Sequence, residues 1–294
     1  MRGRSGACPT QGRSDKVRTH ASKGISYETS FETRMRKKLI TVLLLVWAGA
    51  VHAFDHTHAA WNTLLAEHVS WSPAQTATRV DYAGMRKQHI ALRAYLTTLE
   101  AVSEDDFSGW SREQRRAFLI NAYNAFTVEL ILRAESLPKS IKDLGSFIRG
   151  PWKQAFFSLF GDERHLDELE HSMLRGDAEL ADPRLHFALN CAAIGCPALR
   201  PEAYVPSSLE AQLDDQTRRF LSDRTRNRVR ADGTLEVSKI FDWYEEDFGM
   251  LGFYLSRHAV ALGLGADAAA KLAKGMTQIE FLDYDWRLNN DFGG

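Results

Sequence analysis

Apolar positions recur at helical spacing through most of the chain. Trp61, Leu64 and Leu65 predict an amphipathic helix within 54–67, and Ile90, Leu92, Tyr95 and Leu96 predict a second over 84–99. Ser111, with Glu113 and Gln114 behind it, reads as the capped start of a longer helix. Phe118, Leu119, Ala122, Phe126, Leu130 and Ile131 form its apolar face, and Pro138 lies past its end. Gly150-Pro151 divides the aromatic-rich stretch 141–160, which contains Phe147, Trp152, Phe156, Phe157 and Phe160, into a short helix, a loop and another helix. Helical spacing continues over 166–174, 185–191, 240–248, 253–262 and 266–274. A further helix starts at Pro206 and turns Leu209, Leu213, Phe220 and Leu221 inward. The period drops to two over 228–237, where Asp232-Gly233 predicts a two-residue hairpin turn, and a final strand is predicted over 278–284. No repeat or flexible linker interrupts the pattern. The expected fold class is α+β, a mainly helical single domain with a small antiparallel sheet.

The first 53 residues follow another pattern. Arg36, Lys37 and Lys38 precede an uncharged apolar run over 39–51, and Val51-His52-Ala53 supplies compact residues at a cleavage site. That run falls short of the roughly 20 residues a spanning helix needs. Residues 35–53 are therefore expected to be a signal peptide, with a periplasmic or secreted product and no stable membrane span after its removal. Residues 1–34, rich in Arg, Lys, Ser, Gly and Thr, are expected to be a disordered upstream extension, with translation starting at Met35. The predicted globular domain is 54–294. Removing the leader changes the charge: 1–53 holds 10 Lys+Arg against 3 Asp+Glu, which leaves 27 against 35, a net charge of −8, on the rest. So acidic a domain excludes a nucleic-acid binder that relies on clustered Lys and Arg.

The domain's cysteines are only two, Cys191 and Cys196, too few for a disulfide-stapled scaffold. They sit in a stretch, 182–197, that also holds Asp182, Arg184, His186 and Asn190. A thiolate needs a nearby cation, imidazole or helix N-terminus, so this stretch is a candidate nucleophile site. On a helix, His186 and Asn190 would share a face. In 167–175, Glu170, His171 and Arg175 offer a base with an orienting partner. Asn121 and Asn124 interrupt the long apolar helix, where a buried amide must find partners. Against these stand structural readings: Cys191 as a small core residue, 167–175 as a solvated helix face, and the asparagines as caps for loop carbonyls. An oxidising compartment also favours a Cys191–Cys196 disulfide, which would remove the thiol. No metal or other cofactor is expected. The Cys and His spacings are not those of zinc modules, and no phosphate loop, GxSxG or HExxH motif is present.

Four blocks occur in order: Phe118-Leu119-Ile120-Asn121-Ala122-Tyr123-Asn124-Ala125; 169–175; 182–191 with Cys196-Pro197; and Ser238-Lys239-Ile240-Phe241-Asp242-Trp243-Tyr244 with Asp247-Phe248. In these the chain resembles the domain-of-unknown-function 547 family over about 110–248, with Tyr284-Asp285-Trp286 as a further match. The resemblance implies no established activity. The family's recurring His and Cys are similar to papain-like or transglutaminase-like thiol sites, although His precedes Cys here, which fits only a circularly permuted arrangement.

Three functions are therefore expected to compete. One is a thiol-dependent hydrolase or transferase for a peptide-like or acyl substrate. In it Cys191 is nucleophile, His171 base, Glu170 or Asp182 orienter and Asn121 oxyanion donor, while Asn124, Arg184, His186 and Trp243 contact substrate. The second is a non-catalytic periplasmic binding or assembly module using the aromatic surface at Trp152, Trp243 and Tyr244. The third is a redox protein cycling Cys191–Cys196. A small-molecule or peptide ligand is the expected partner.

Overall fold

The computed structural model describes residues 53–145 and 149–290. Apart from Ala53, the expected leader lies outside the described residues, as does Phe147.

The helices in chain order are α1 (Ala59–His68), α2 (Tyr82–Lys87), α3 (His89–Glu100), α4 (Glu104–Ser108), α5 (Arg112–Leu132), α6 (Leu166–Glu168), α7 (Leu209–Ser222), α8 (Ile240–Trp243), α9 (Glu245–Phe248), α10 (Leu251–Ser256), α11 (Ala259–Leu262) and α12 (Ala266–Ala273). Three small sheets accompany them among the described residues. Strands β1 (Val69–Trp71) and β2 (Thr78–Val80) pair antiparallel, as do β3 (Phe157–Leu159) and β4 (Asp162–Arg164). In the third sheet, β6 (Leu235–Val237) lies antiparallel to β5 (Arg228–Val229) and parallel to β7 (Ile279–Phe281). The domain is mainly helical α+β with small, chiefly antiparallel sheets. No helix among the described residues is long and apolar enough to cross a membrane.

Helix α5 is the axis of the domain. Ser111 and Gln114 close a reciprocal capping box at its start, satisfying N–H groups the first turn leaves orphaned. From Arg116 to Leu132 every residue is buried, so the helix is wrapped on all sides and its polar positions are enclosed with the apolar ones. Phe118 and Phe126 are fully buried, each contributing roughly 1.5–3 kcal/mol by removal from water. Phe126 stacks on Phe157 of β3 at 3.9 Å between centroids. A second apolar cluster, built on Phe187, Phe220, Phe241 and Phe248, joins α7, α8 and α9.

Several local expectations change in the folded chain. The segment predicted over 84–99 is two helices meeting at Gln88, and Ile90 is 89% exposed because it falls just after that break. The hairpin loop is longer than two residues: Arg230 N–H donates to the Thr234 carbonyl and Gly233 N–H to the Arg230 carbonyl. Gly233 takes φ 87, the left-handed position a three-residue hairpin turn requires. The second helix expected within 141–160 is only a short 3-10 turn, Pro151–Lys153, and the chain then enters strand β3. The expected helix over 185–191 is a single 3-10 segment, Pro183–Phe187, followed by irregular chain. His186 and Asn190 therefore share no helix face. The helix expected over 253–262 is divided between α10 and α11.

Candidate functional site

Four segments, with Tyr123 of α5 and Trp152, converge on one cavity of ≈ 260 Å3 lined by fifteen residues, including Glu170, His171, His186, Cys191, Trp243 and Tyr244. The first follows α6, where the helix widens into a π-helical segment, Leu169–Leu174. Its i to i+5 bond, from Arg175 N–H to the Glu170 carbonyl, is 3.0 Å. Such π turns are found disproportionately at functional sites, because they re-aim side chains that a regular helix would space evenly. Here Leu169 and Leu174 pack inward, while Glu170 and His171 line the cavity.

The second segment is 182–197. Asp182 caps its 3-10 turn by accepting from the Arg184 N–H at 2.9 Å. Buried amides then hold the irregular chain. Asn124 of α5 donates to the Ala188 carbonyl at 3.0 Å and accepts from the Asn190 N–H at 2.8 Å. Asn190 donates to the Pro197 carbonyl at 2.7 Å, and Gln216 of α7 donates to the Phe187 carbonyl at 3.0 Å. Ala192 is held at φ 61, a left-handed conformation unfavourable for a residue with a Cβ. The flanking Cys191 and Cys196 form a disulfide.

The third segment, α8 with α9, brings Trp243, Tyr244 and Asp247. The fourth is the chain after β7, which straps across the disulfide loop: Ile194 N–H donates to the Arg287 carbonyl at 2.8 Å and Gly195 N–H to the Asp285 carbonyl at 2.9 Å. This strap delivers Tyr284 and Trp286 to the cavity wall. Gly195 permits it, because a Cβ there would come within 3.0 Å of the Tyr284 ring. The Tyr284 hydroxyl lies 3.2 Å from Cys191 Sγ and 3.1 Å from Cys196 Sγ.

Hydrogen-bond partners assign the tautomer of both cavity histidines. His186 is 4% exposed, and its Nε2 lies 2.5 Å from Asp247 Oδ2. Burial pulls the His186 pKa below its ordinary value, although Asp247 and Glu170 oppose that shift. Burial would raise Asp247, but hydrogen bonds from Arg175 and His186 outweigh it and hold the carboxylate low. The neutral imidazole therefore carries its proton on Nε2, toward the Asp247 carboxylate, and its lone pair on Nδ1. Arg175 Nε donates to the same Asp247 oxygen at 2.5 Å and Arg175 Nη2 to Glu246 at 2.8 Å. Arg175 Nη1 also donates to His171 Nδ1 at 2.6 Å. A guanidinium cannot accept, so neutral His171 keeps its proton on Nε2, which lies 3.7 Å from Asp167. The two rings are thus opposite tools: His186 presents a base and His171 a donor. Tyr244 stacks on His186 at 4.0 Å and donates its hydroxyl to Glu170 at 2.6 Å.

These positions revise several expected roles. Cys191 is tied to Cys196 and is no free nucleophile, and His171 is arranged to donate a proton where a base was expected. Asn121 faces the Tyr204 backbone, donating at 2.7 Å and accepting at 3.0 Å, and lines no part of the cavity. Asn124 is likewise a backbone brace. Asp182 binds Arg184 at 2.7 Å and Arg116 at 3.5 Å and orients neither cavity histidine. Arg184 reaches outward to Glu210 at 2.6 Å and Asp214 at 2.7 Å. Glu170, His171, His186 and Trp243 are brought together in the cavity. Asp247, Tyr123, Tyr284 and Trp286 belong to the site but were not assigned to it. Asp247 and the Tyr284-Asp285-Trp286 end both stood in the family-like blocks, which was the signal available.

Residues 107–221 match the family model described as protein of unknown function, DUF547. Over that span the chain is similar to the DUF547 family. No curated protein and no solved structure matches it. The DUF547 span supplies Tyr123, Glu170, His171, His186 and the disulfide. Trp243, Tyr244, Tyr284 and Trp286, which complete the cavity, lie beyond it, as does Asp247, the partner of His186.

Proposed function

We propose that this domain binds a small acyl or peptide-like compound in the cavity and acts on it as an acid–base hydrolase or transferase, with its disulfide closed. The observation that carries this reading is the Asp247–His186 pair: a buried, neutral imidazole locked by a carboxylate at 2.5 Å in the wall of an aromatic cavity. His186 Nδ1 takes the proton of a water, or of an acceptor hydroxyl or amine, as it attacks the substrate carbonyl. The imidazolium so formed is stabilised by the Asp247 carboxylate. His171 Nε2–H is the donor for the oxygen that gains charge or for the leaving group. Arg175 orients both rings by holding Asp247 and His171 Nδ1 together.

A thiol-dependent reaction at Cys191 needs the disulfide reduced first, so it is the weaker reading. The non-catalytic binding module draws on the same aromatic wall and differs only in lacking turnover. The disulfide also supports export, as expected from the leader, because such bonds persist in oxidising compartments.

The test is turnover of para-nitrophenyl acyl esters and amino-acid para-nitroanilides by the oxidised protein. Wild type is expected to hydrolyse members of this panel, His186→Asn to lose about 10²–10⁴-fold, and Cys191→Ser/Cys196→Ser to keep its activity at a temperature where it is folded. Activity that appears only after reduction and vanishes in Cys191→Ser overturns the proposal in favour of the thiol mechanism. Saturable ligand binding without turnover overturns it in favour of the binding module.

A further inference from the structure

Among the described residues, the cavity lining includes two carboxylates, Asp167 and Glu170, and no Lys or Arg. Asp167 has a surface partner, Lys153 Nζ at 4.0 Å. Glu170 is only 9% exposed, and its side-chain hydrogen-bond partners are neutral phenols, Tyr244 and Tyr123. Burying a carboxylate without an opposite charge is costly, and hydrogen bonds from phenols offset only part of that cost. The nearby guanidinium does not fill the role, because Arg175 is committed to Asp247, Glu246 and His171. His186, held neutral, adds no positive charge.

Electron-rich rings line the same cavity. Trp243 lies 4.8 Å from Tyr284 and 5.5 Å from Trp286, and Trp152 lies 5.7 Å from Trp286. A cation of the chain already uses one of these rings: Lys142 Nζ sits 3.7 Å from the Trp286 ring centroid. Indole faces attract cations through their quadrupole, most strongly where water is excluded, and aromatic enclosures are the usual receptor for ammonium groups.

We infer that the cavity selects ligands bearing a cationic amino or quaternary ammonium group, with Glu170 as counter-charge and the Trp243, Trp286 and Tyr284 rings as its enclosure. This rests on the cavity being the ligand site. It narrows the substrate class to amine-bearing acyl or peptide-like compounds and disfavours anionic ones. The net charge of −8 on residues 54–294 acts in the same direction, since a negative surface raises the local concentration of cations.

The experiment titrates tryptophan fluorescence of the intact oxidised domain with choline, with its neutral isostere 3,3-dimethylbutan-1-ol, and with 3,3-dimethylbutanoate. Choline is expected to bind at least about 10-fold more tightly than the alcohol, and the carboxylate to bind most weakly. Glu170→Gln is expected to bring choline down to the level of the alcohol while leaving the alcohol unchanged. Trp243 is 41% exposed, so Trp243→Leu spares the core and provides a second variant; it is expected to weaken choline with the melting temperature retained. Equal binding of choline and the alcohol, tighter binding of the carboxylate, or no saturable response to choline overturns the inference. Turnover of neutral esters without any preference for amine-bearing ones also overturns it and leaves the hydrolytic reading standing. Choline binding without turnover does the reverse.

Discussion

Two groups of buried polar side chains lie side by side in this domain, and they are used differently. The first comprises Asn121, Asn124, Asn190 and Gln216. Each spends its amide on backbone groups of an irregular segment: Asn121 on Tyr204, Asn124 on Ala188 and Asn190, Asn190 on Pro197 and Ala192, Gln216 on Phe187 and Ala198. They replace the hydrogen bonds that a chain outside any helix or sheet would otherwise lose on burial. The second group is Glu170, His171 and His186, which line the cavity and are held by other side chains, not by backbone. Saturated polar groups hold a loop in place. Polar groups held but not saturated have bonding capacity left for a ligand. Residue type does not separate the two groups; the partner of the second polar atom does.

Substitutions should therefore split by readout. The largest effect is expected at His186→Asn, about 10²–10⁴-fold in turnover, measured with the ester and anilide panel. Its loss of stability is expected to be smaller than that of the Asn124 substitution, because Arg175 still pairs with Asp247. Asn124→Ala strands the Ala188 carbonyl and the Asn190 N–H, and each buried unpaired group costs about 1–3 kcal/mol. Chemical denaturation should show that loss. An Asn124→Ala protein as stable as wild type would erase the distinction between the two groups.

Opening the disulfide should have a middling effect. It closes a loop of a few residues, worth roughly 2 kcal/mol in the chain-entropy account. Cys191→Ser/Cys196→Ser is expected to lower the denaturation midpoint by that amount in non-reducing buffer. Acid should weaken the domain through both members of the Asp247–His186 pair. His186 has a folded pKa lowered by burial, so the unfolded chain binds its proton more readily; stability is intact above the unfolded value, roughly 6.5, and declines as pH falls below it. Asp247 has a folded pKa held down by Arg175 and His186 after burial is overcome, so its contribution is present above the ordinary carboxylate range and is lost as pH falls through its folded value. Stability measured from pH 8 to pH 4 should therefore decline below neutrality, less so in His186→Asn. The smallest effect is expected at Ile90→Ser, on an 89% exposed side chain, within about 0.5 kcal/mol.

Much of the framework was legible before folding. The Ser111–Gln114 cap, the inward face of α5, and Leu209, Leu213, Phe220 and Leu221 of α7 all follow from periodicity and local chemistry. The segment 182–197 did not. Its apolar run resembles a helix, but Pro183 starts a 3-10 turn, and the chain that follows is held by amides from residues far away in sequence. Nothing local announces such braces. Asn121 and His171 look equally suited to catalysis as letters in a chain. They separate once the Tyr204 backbone is seen to saturate one and Arg175 to fix the tautomer of the other. The Asp247–His186 pair spans 61 positions and required the fold to bring α9 against the 3-10 turn.

The most direct test of the account is nitrogen-15 NMR of the cavity imidazoles in the oxidised protein, with His186→Asn used for assignment. His186 is expected to be neutral at pH 7, protonated on Nε2 and bare on Nδ1, to titrate below the ordinary histidine value and to shift when choline is added. A His186 that is imidazolium at pH 7, or that carries its proton on Nδ1, contradicts the account, because the proposed base would then have no lone pair to offer.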